Sequence, residues 1–274
     1  MTQTITERLH IVEGTDWKDA VIALLEPKSP YRPWRYGFGE SPAGDAVAVV
    51  LNTDPVSVLT ELAHIGDDGD PGCAIVDLPL WGAGLLDLTT LAMMLDVRCA
   101  VTEWRLDGDA AVKLQLALEE CRLRSEPDSR FGRTSLAAAR TLLHSGAACD
   151  GCDSDIDLTG PDARDQVYVH TVDSYRRPDP TSPIVSPWLR FSAIDWPAVL
   201  CRACHERMAD GGYQRFLDYR FDQHPACPEC GGRRTLSTFY GMPVGVANIP
   251  PWLHIGGCCV SDERWSCSVC DHEW

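Results

Sequence analysis

Apolar positions mark the elements of the first half of the chain. Residues 45–51 (DAVAVVL) are a short apolar run closed by the turn-forming residues 52–55 (NTDP), which predicts a strand and a turn. Residues 56–65 read as the returning strand, in preference to a short helix. Residues 73–76 read as a further strand, ended by turn signals around Pro79. Leu and Met recur at helical spacing over residues 85–95, and residues 99–104 alternate like a strand. Asp109 is placed as the N-cap of an amphipathic helix over residues 110–124. The aromatic, basic stretch 30–39 (PYRPWRYGFG) reads as an ordered loop over a sheet, because aromatics beside Pro and Gly pack locally. Residues 1–128 therefore read as an α/β-type unit.

Residues 125–133 look like a linker. A helix follows from Thr134 or Ser135 to Leu143, carried by Leu136, Leu142 and Leu143, and ends at Ser145-Gly146 just ahead of Cys149. Residues 155–158, a turn at Gly160-Pro161 and residues 166–172 predict a hairpin. Residues 213–219 have helical spacing. Pro178, Pro180, Pro183 and Pro187 make residues 175–188 irregular.

The 13 cysteines change this picture. Eight form Cys-x-x-Cys steps: Cys149/Cys152, Cys201/Cys204, Cys227/Cys230 and Cys267/Cys270. Each step sets two sulfurs on one tight turn, which is half of a tetrahedral thiolate shell, so eight sulfurs supply two complete shells for structural Zn²⁺. Cys73, Cys99 and Cys121 lie in apolar stretches and read as packing residues. Cys258 and Cys259, after Gly256-Gly257, stand as reserve ligands. The start of the chain lacks a basic segment followed by an apolar one, and no apolar run is long enough to span a membrane. A cytoplasmic location is expected, and its reducing poise favours thiolate ligands over disulfides.

Four steps can pair sequentially, interleaved or nested. The flanking residues favour sequential pairing. A helix leads into the first step and Cys201/Cys204 opens a helix, which is the arrangement of a treble clef over residues 129–222. The last two steps, with strands between them, resemble a zinc ribbon over residues 223–274. A four-thiolate shell keeps no open position for substrate, so both ions read as structural.

Net charge is −16 and is unevenly spread. Residues 1–128 hold 22 acids and 10 bases; residues 129–274 hold 18 acids, 14 bases (all Arg) and six of the eight His. That distribution argues against a nucleic-acid clamp over the whole surface. It leaves the Arg-bearing second half for DNA or another nucleic acid, and the acidic first unit for a protein partner. No phosphate loop or serine elbow is present.

Residues 135–219 resemble the zinc-stabilised HNH nuclease family. The matching features are the helix running into Ala147-Ala148-Cys149-Asp150-Gly151-Cys152, the strand ending Val167-Tyr168-Val169-His170, and Val199-Leu200-Cys201-Arg202-Ala203-Cys204-His205. The resemblance implies that His170 is a general base that deprotonates water for attack on phosphorus, with Mg²⁺ or Mn²⁺ stabilising the leaving oxygen. The family carries an acid or His directly before the base, where this chain has Val169. It also carries His or Asn about four residues past the Cys-His step, near Ala209 here. Asp173, His205 and Asp210 are the substitutes at hand, and His205 is taken as the second catalytic candidate. The expected protein is α+β: an α/β-type unit, an HNH-like treble clef and a zinc ribbon. Its expected role is nucleic-acid-directed, as an HNH-type metal-dependent endonuclease or as a non-catalytic module docking nucleic acid or a protein.

Overall fold

A computed structural model describes residues 5–26, 28–35, 44–65, 84–95, 105–122, 130–173, 194–241 and 249–274. The expectations at residues 73–76, 99–104 and 175–188, and those for Cys73 and Cys99, lie outside these residues. Cys121 is half-buried.

The first part is built on β1 (Arg8–Gly14), α1 (Trp17–Leu25), β2 (Trp34–Arg35), β3 (Ala46–Leu51), β4 (Ser57–Leu59), β5 (Ala63–His64), β6 (Leu85–Asp87), α2 (Leu88–Leu95), β7 (Arg105–Asp107) and α3 (Asp109–Arg122). The strands form one mixed sheet in the order β2-β1-β3-β4-β6, with β5 on β3 and β7 on β1. β1 and β3 run parallel, Leu9 opposite Ala46 through Gly14 opposite Leu51. Every residue of β3 is buried. Val47, Val49 and Leu51 share one core cluster with Val21 and Ile22 of α1, and Ala46, Ala48 and Val50 share another with Leu91 of α2 and Leu114 of α3. Covering both faces explains why this strand is uniformly apolar rather than alternating.

Several boundaries differ from expectation. Residues 56–65 form two short strands rather than one. Residues 85–87 pair as a strand with β4 before the expected helix begins. Asp109 is the first helical residue of α3 and not its cap. Nothing predicted β1 or α1, although Asp16 caps α1 by accepting from the Lys18 and Asp19 amides at 2.9 and 3.2 Å. Tyr31 and Trp34 pack against the core, but Trp34–Arg35 pair with β1 as a strand rather than a loop, and residues 36–39 of the expected loop lie outside the described residues.

The second part holds α4 (Ser135–Ser145), α5 (Ala163–Gln166), β8 (Val167–His170), β9 (Ala198–Cys201), α6 (Arg202–Asp210) and α7 (Phe216–Asp222). Thr134 caps α4 by accepting from the Ala137 amide at 3.2 Å, and Gly146 ends it in the left-handed region at φ 58°. The expected hairpin is corrected here. β8 pairs antiparallel with β9, Val167 opposite Cys201 through His170 opposite Ala198, and residues 155–158 contribute only an Ala148–Asp155 bridge. Val167 is fully buried and finds an apolar partner strand in β9, whose Ala198, Val199 and Leu200 are buried, whereas Asp155 and Asp157 are exposed.

The third part is a three-stranded sheet of β10 (Thr235–Phe239) between β11 (Leu253–Ile255) and β12 (Trp265–Cys267). One core cluster runs from α1 and β3 through α4 and β9 to Phe216, Leu236 and Trp252, so buried apolar surface is continuous across all three parts. Polar ties reinforce it. Lys18 donates to the Arg164 and Val167 carbonyls, both at 2.7 Å, and Arg164 forks onto Asp16 at 2.8 and 3.1 Å and reaches Asp19 at 2.6 Å. Among the described residues no helix is long and apolar enough to cross a membrane.

Candidate functional site

The eight predicted sulfurs gather as two groups, Cys149/Cys152/Cys201/Cys204 and Cys227/Cys230/Cys267/Cys270, with all ligand atoms of a group within 4.8 Å of one another. This is the sequential arrangement. Cys152 and Cys201 sulfurs lie 4.0 Å apart, Cys227 and Cys270 3.7 Å, and Cys230 and Cys267 3.6 Å. A tetrahedral shell with ~2.3 Å metal–sulfur bonds sets neighbouring sulfurs about 3.8 Å apart. A disulfide would need about 2 Å. Cys258 and Cys259 are exposed and belong to neither group.

Three of the steps share one backbone device. The amide four residues after the first Cys donates back to that Cys carbonyl: Asp153 to Cys149 at 2.8 Å, Gly231 to Cys227 at 2.9 Å and Asp271 to Cys267 at 3.0 Å. The donor residue is left-handed each time, at φ 57°, 70° and 57°. The first Cys amide then donates to the carbonyl five residues further on, that of Ser154, Gly232 and His272 at 2.9, 2.9 and 2.8 Å. Asp and Gly tolerate that left-handed backbone, and the tight turn points both sulfurs one way. The fourth step differs. Cys201 ends β9 and Cys204 lies in the first turn of α6, so the helix start sets its sulfurs.

The first knuckle is held by residues that the sequence did not single out. Asp150 exchanges bonds with Val199, the backbone amide donating at 2.8 Å and the carboxylate accepting at 2.7 Å. Buried Arg220 donates to the Gly151 carbonyl at 3.0 Å and to Asp153 at 2.7 Å, with its guanidinium 5.6 Å from the Trp252 ring centre. Gly151 is tightly packed: a Cβ there would lie 3.0 Å from the Cys204 sulfur, so its neighbours would have to shift.

The charges also fit a cation. Burial opposes ionisation of Cys152, yet hydrogen bonds from Ser154 bring its thiol down to about 7, while burial pushes Cys149 well up. In the second group, burial opposes ionisation of Cys267, but the Val269 and Cys270 amides draw it to about 7. The His272 amide favours the Cys270 thiolate, but burial and adjacent sulfurs raise it to about 12. Four close sulfurs cannot all ionise unaided, and a divalent ion removes that repulsion. Arg207 donates to the Cys204 sulfur at 3.0 Å and the Cys201 amide to the Cys149 sulfur at 3.2 Å, as outer contacts to a charged shell do. Both groups could hold structural Zn²⁺.

Beside the first group, β8, β9 and α6 enclose a cleft of about 220 Å³ lined by Tyr168, Val169, His170, Leu200, His205, Met208, Ala209 and Tyr213. Both candidate histidines reach it. His170 Nε2 meets Asp195 Oδ2 at 2.8 Å, while Asp195 Oδ1 accepts from the Phe216 and Trp196 amides, both at 2.9 Å. Asp195 thereby fixes the His170 ring and the start of α7 together. His205 is exposed and stacks on Tyr168, with ring centres 4.0 Å apart and planes at 7°. Asp173 is turned to Arg133 in a two-bond fork at 2.6 and 3.2 Å, and neither it nor Asp210 lines the cleft. Among the described residues, no further group of three His, Cys, Asp or Glu gathers that could hold an ion. Beside His170 the described carboxylate is Asp195, whose oxygens are engaged by the His170 ring and two backbone amides. No protein-family model, curated protein or solved structure matches this chain.

Proposed function

We propose that this protein is a zinc-scaffolded nucleic-acid-binding protein with an HNH-like treble clef that binds without cleaving. One observation carries the reading: Val169, His170 and Ala209, the three positions singled out by the family pattern, converge on one cleft beside the first cysteine group. Two of them carry side chains that ligate nothing. The scaffold is kept while the set needed for a catalytic ion is incomplete, a combination that suits docking rather than hydrolysis.

The test joins binding to turnover. Zinc-loaded protein should bind oligonucleotides with an affinity that falls steeply with salt, as phosphate contacts require. It should leave them intact with Mg²⁺ or Mn²⁺ present. The His170–Asp195 contact favours the endonuclease as a second reading, because Asp195 would hold the Nε2 proton and leave Nδ1 to accept one. Ion-dependent nicking that His170→Ala abolishes at unchanged zinc content would establish that reading instead.

A further inference from the structure

The cleft lining bears four rings and no charged side chain except a histidine when protonated: Tyr168, His170, His205 and Tyr213 stand among Val169, Leu200, Met208 and Ala209. Two of these rings are held from behind by carboxylates, His170 by Asp195 at 2.8 Å and the Tyr213 hydroxyl by Asp222 at 2.6 Å. A third pair is already stacked, Tyr168 on His205. Rings fixed in this way lose little freedom when another ring joins them. The volume is below the ~300–1,000 Å³ of pockets that take drug-sized ligands, and it suits one ring system.

Cations stand outside the lining. Arg202 is exposed on α6, one turn before His205, and two of its five donors go to the Asp165 carbonyl at 3.3 and 3.2 Å. Lys18 sits 5.9 Å from the Tyr168 ring centre. The surround carries both signs, with Asp195 and Asp222 on two of the rings and Arg202 on the helix that bears His205; an uncharged ring-lined cleft next to a cation can divide a nucleotide by chemistry, the base inside and the phosphate outside.

We infer that this cleft takes a single unstacked nucleobase of a single-stranded nucleic acid, against the Tyr168–His205 stack, with the adjoining phosphate on Arg202. This rests on the nucleic-acid reading above and names the substrate class of that site. A base inside a duplex has both faces covered, so a single strand or an everted base is what can enter.

The test uses zinc-loaded full-length protein and two labelled single-stranded oligonucleotides of equal length, one with all bases and one abasic throughout. Anisotropy should show the base-bearing strand binding about tenfold tighter, in line with base–aromatic stacking. His205→Ala, at an exposed position, should remove that difference while leaving the abasic strand's affinity and the zinc content unchanged. Arg202→Gln should weaken both strands and flatten their salt dependence. Equal affinity for the two strands would overturn the base site and leave nucleic-acid binding standing. Binding of neither strand would overturn both, as would an aromatic peptide that binds where the oligonucleotides do not.

Discussion

Single residues tie the parts of this molecule together. Arg164 is the clearest case. Its fork onto Asp16, opposed by some burial of the carboxyl, holds that carboxyl below the usual carboxylate range. An acid with a depressed value in the folded state contributes stability above its unfolded value and loses it as pH falls through the folded one. Arg164→Ala should therefore lower Tm at neutral pH. The gap to the parent should narrow under acid as Asp16 protonates, and a thermal melt series against pH reads it directly. The effect will be modest, since both side chains are about two-fifths exposed (39% and 43%) and water screens the pair. Asp195 and Arg220 work on the same scale, Asp195 joining His170 to the start of α7 and Arg220 clamping the Gly151–Asp153 turn against the Trp252 ring. Neither stood out in the sequence, because Asp195 lies 25 residues from His170 and Arg220 lies 69 from Gly151.

At the scale of elements, the cysteine turn is the repeated unit, and its geometry was largely legible. The Gly after Cys230 announces the left-handed residue found at 231, whereas Asp153 and Asp271 take the same backbone without a glycine to signal it. The strand pairing was not legible. By pattern residues 155–158 were the expected partner of β8, but β9 takes that place, with Val199 and Leu200 buried in the core cluster that includes α4. Gly151 tests the packing of this element. Alanine there would press Cys204 and Leu200 at 3.0–3.1 Å and cost about 1–3 kcal/mol as overpacking. Gly151→Ala should release the first zinc at chelator concentrations that leave the second in place, as metal analysis after graded chelation would show.

Over the whole molecule, the two shells and the continuous core act together. Metal analysis should find two zinc ions per chain. Chelation should unfold the three-stranded sheet of the third part, because small metal-bound modules draw much of their folding free energy from the ion. Because Leu236 and Trp252 of that part join the core cluster that reaches α1 and β3, stripping zinc should also lower the Tm of the remaining structure. A melt of the first sheet unaffected by metal removal would contradict that coupling. The acidic first half and the Arg-bearing second half meet where Arg164 pairs with Asp16 and Asp19 and Lys18 donates to the Arg164 and Val167 carbonyls.

By itself the sequence determined which atoms could gather around an ion. It did so because chelate spacing is local: two sulfurs three residues apart on a tight turn need no distant partner to be aligned. Only the tertiary structure decided the rest. It chose the β8–β9 pair, set Asp195 behind His170, clamped the knuckle with Arg220 and enclosed an aromatic cleft where catalytic ligands were expected. Those outcomes depend on which buried surfaces meet across long stretches of chain, and many residues of similar polarity could have met instead.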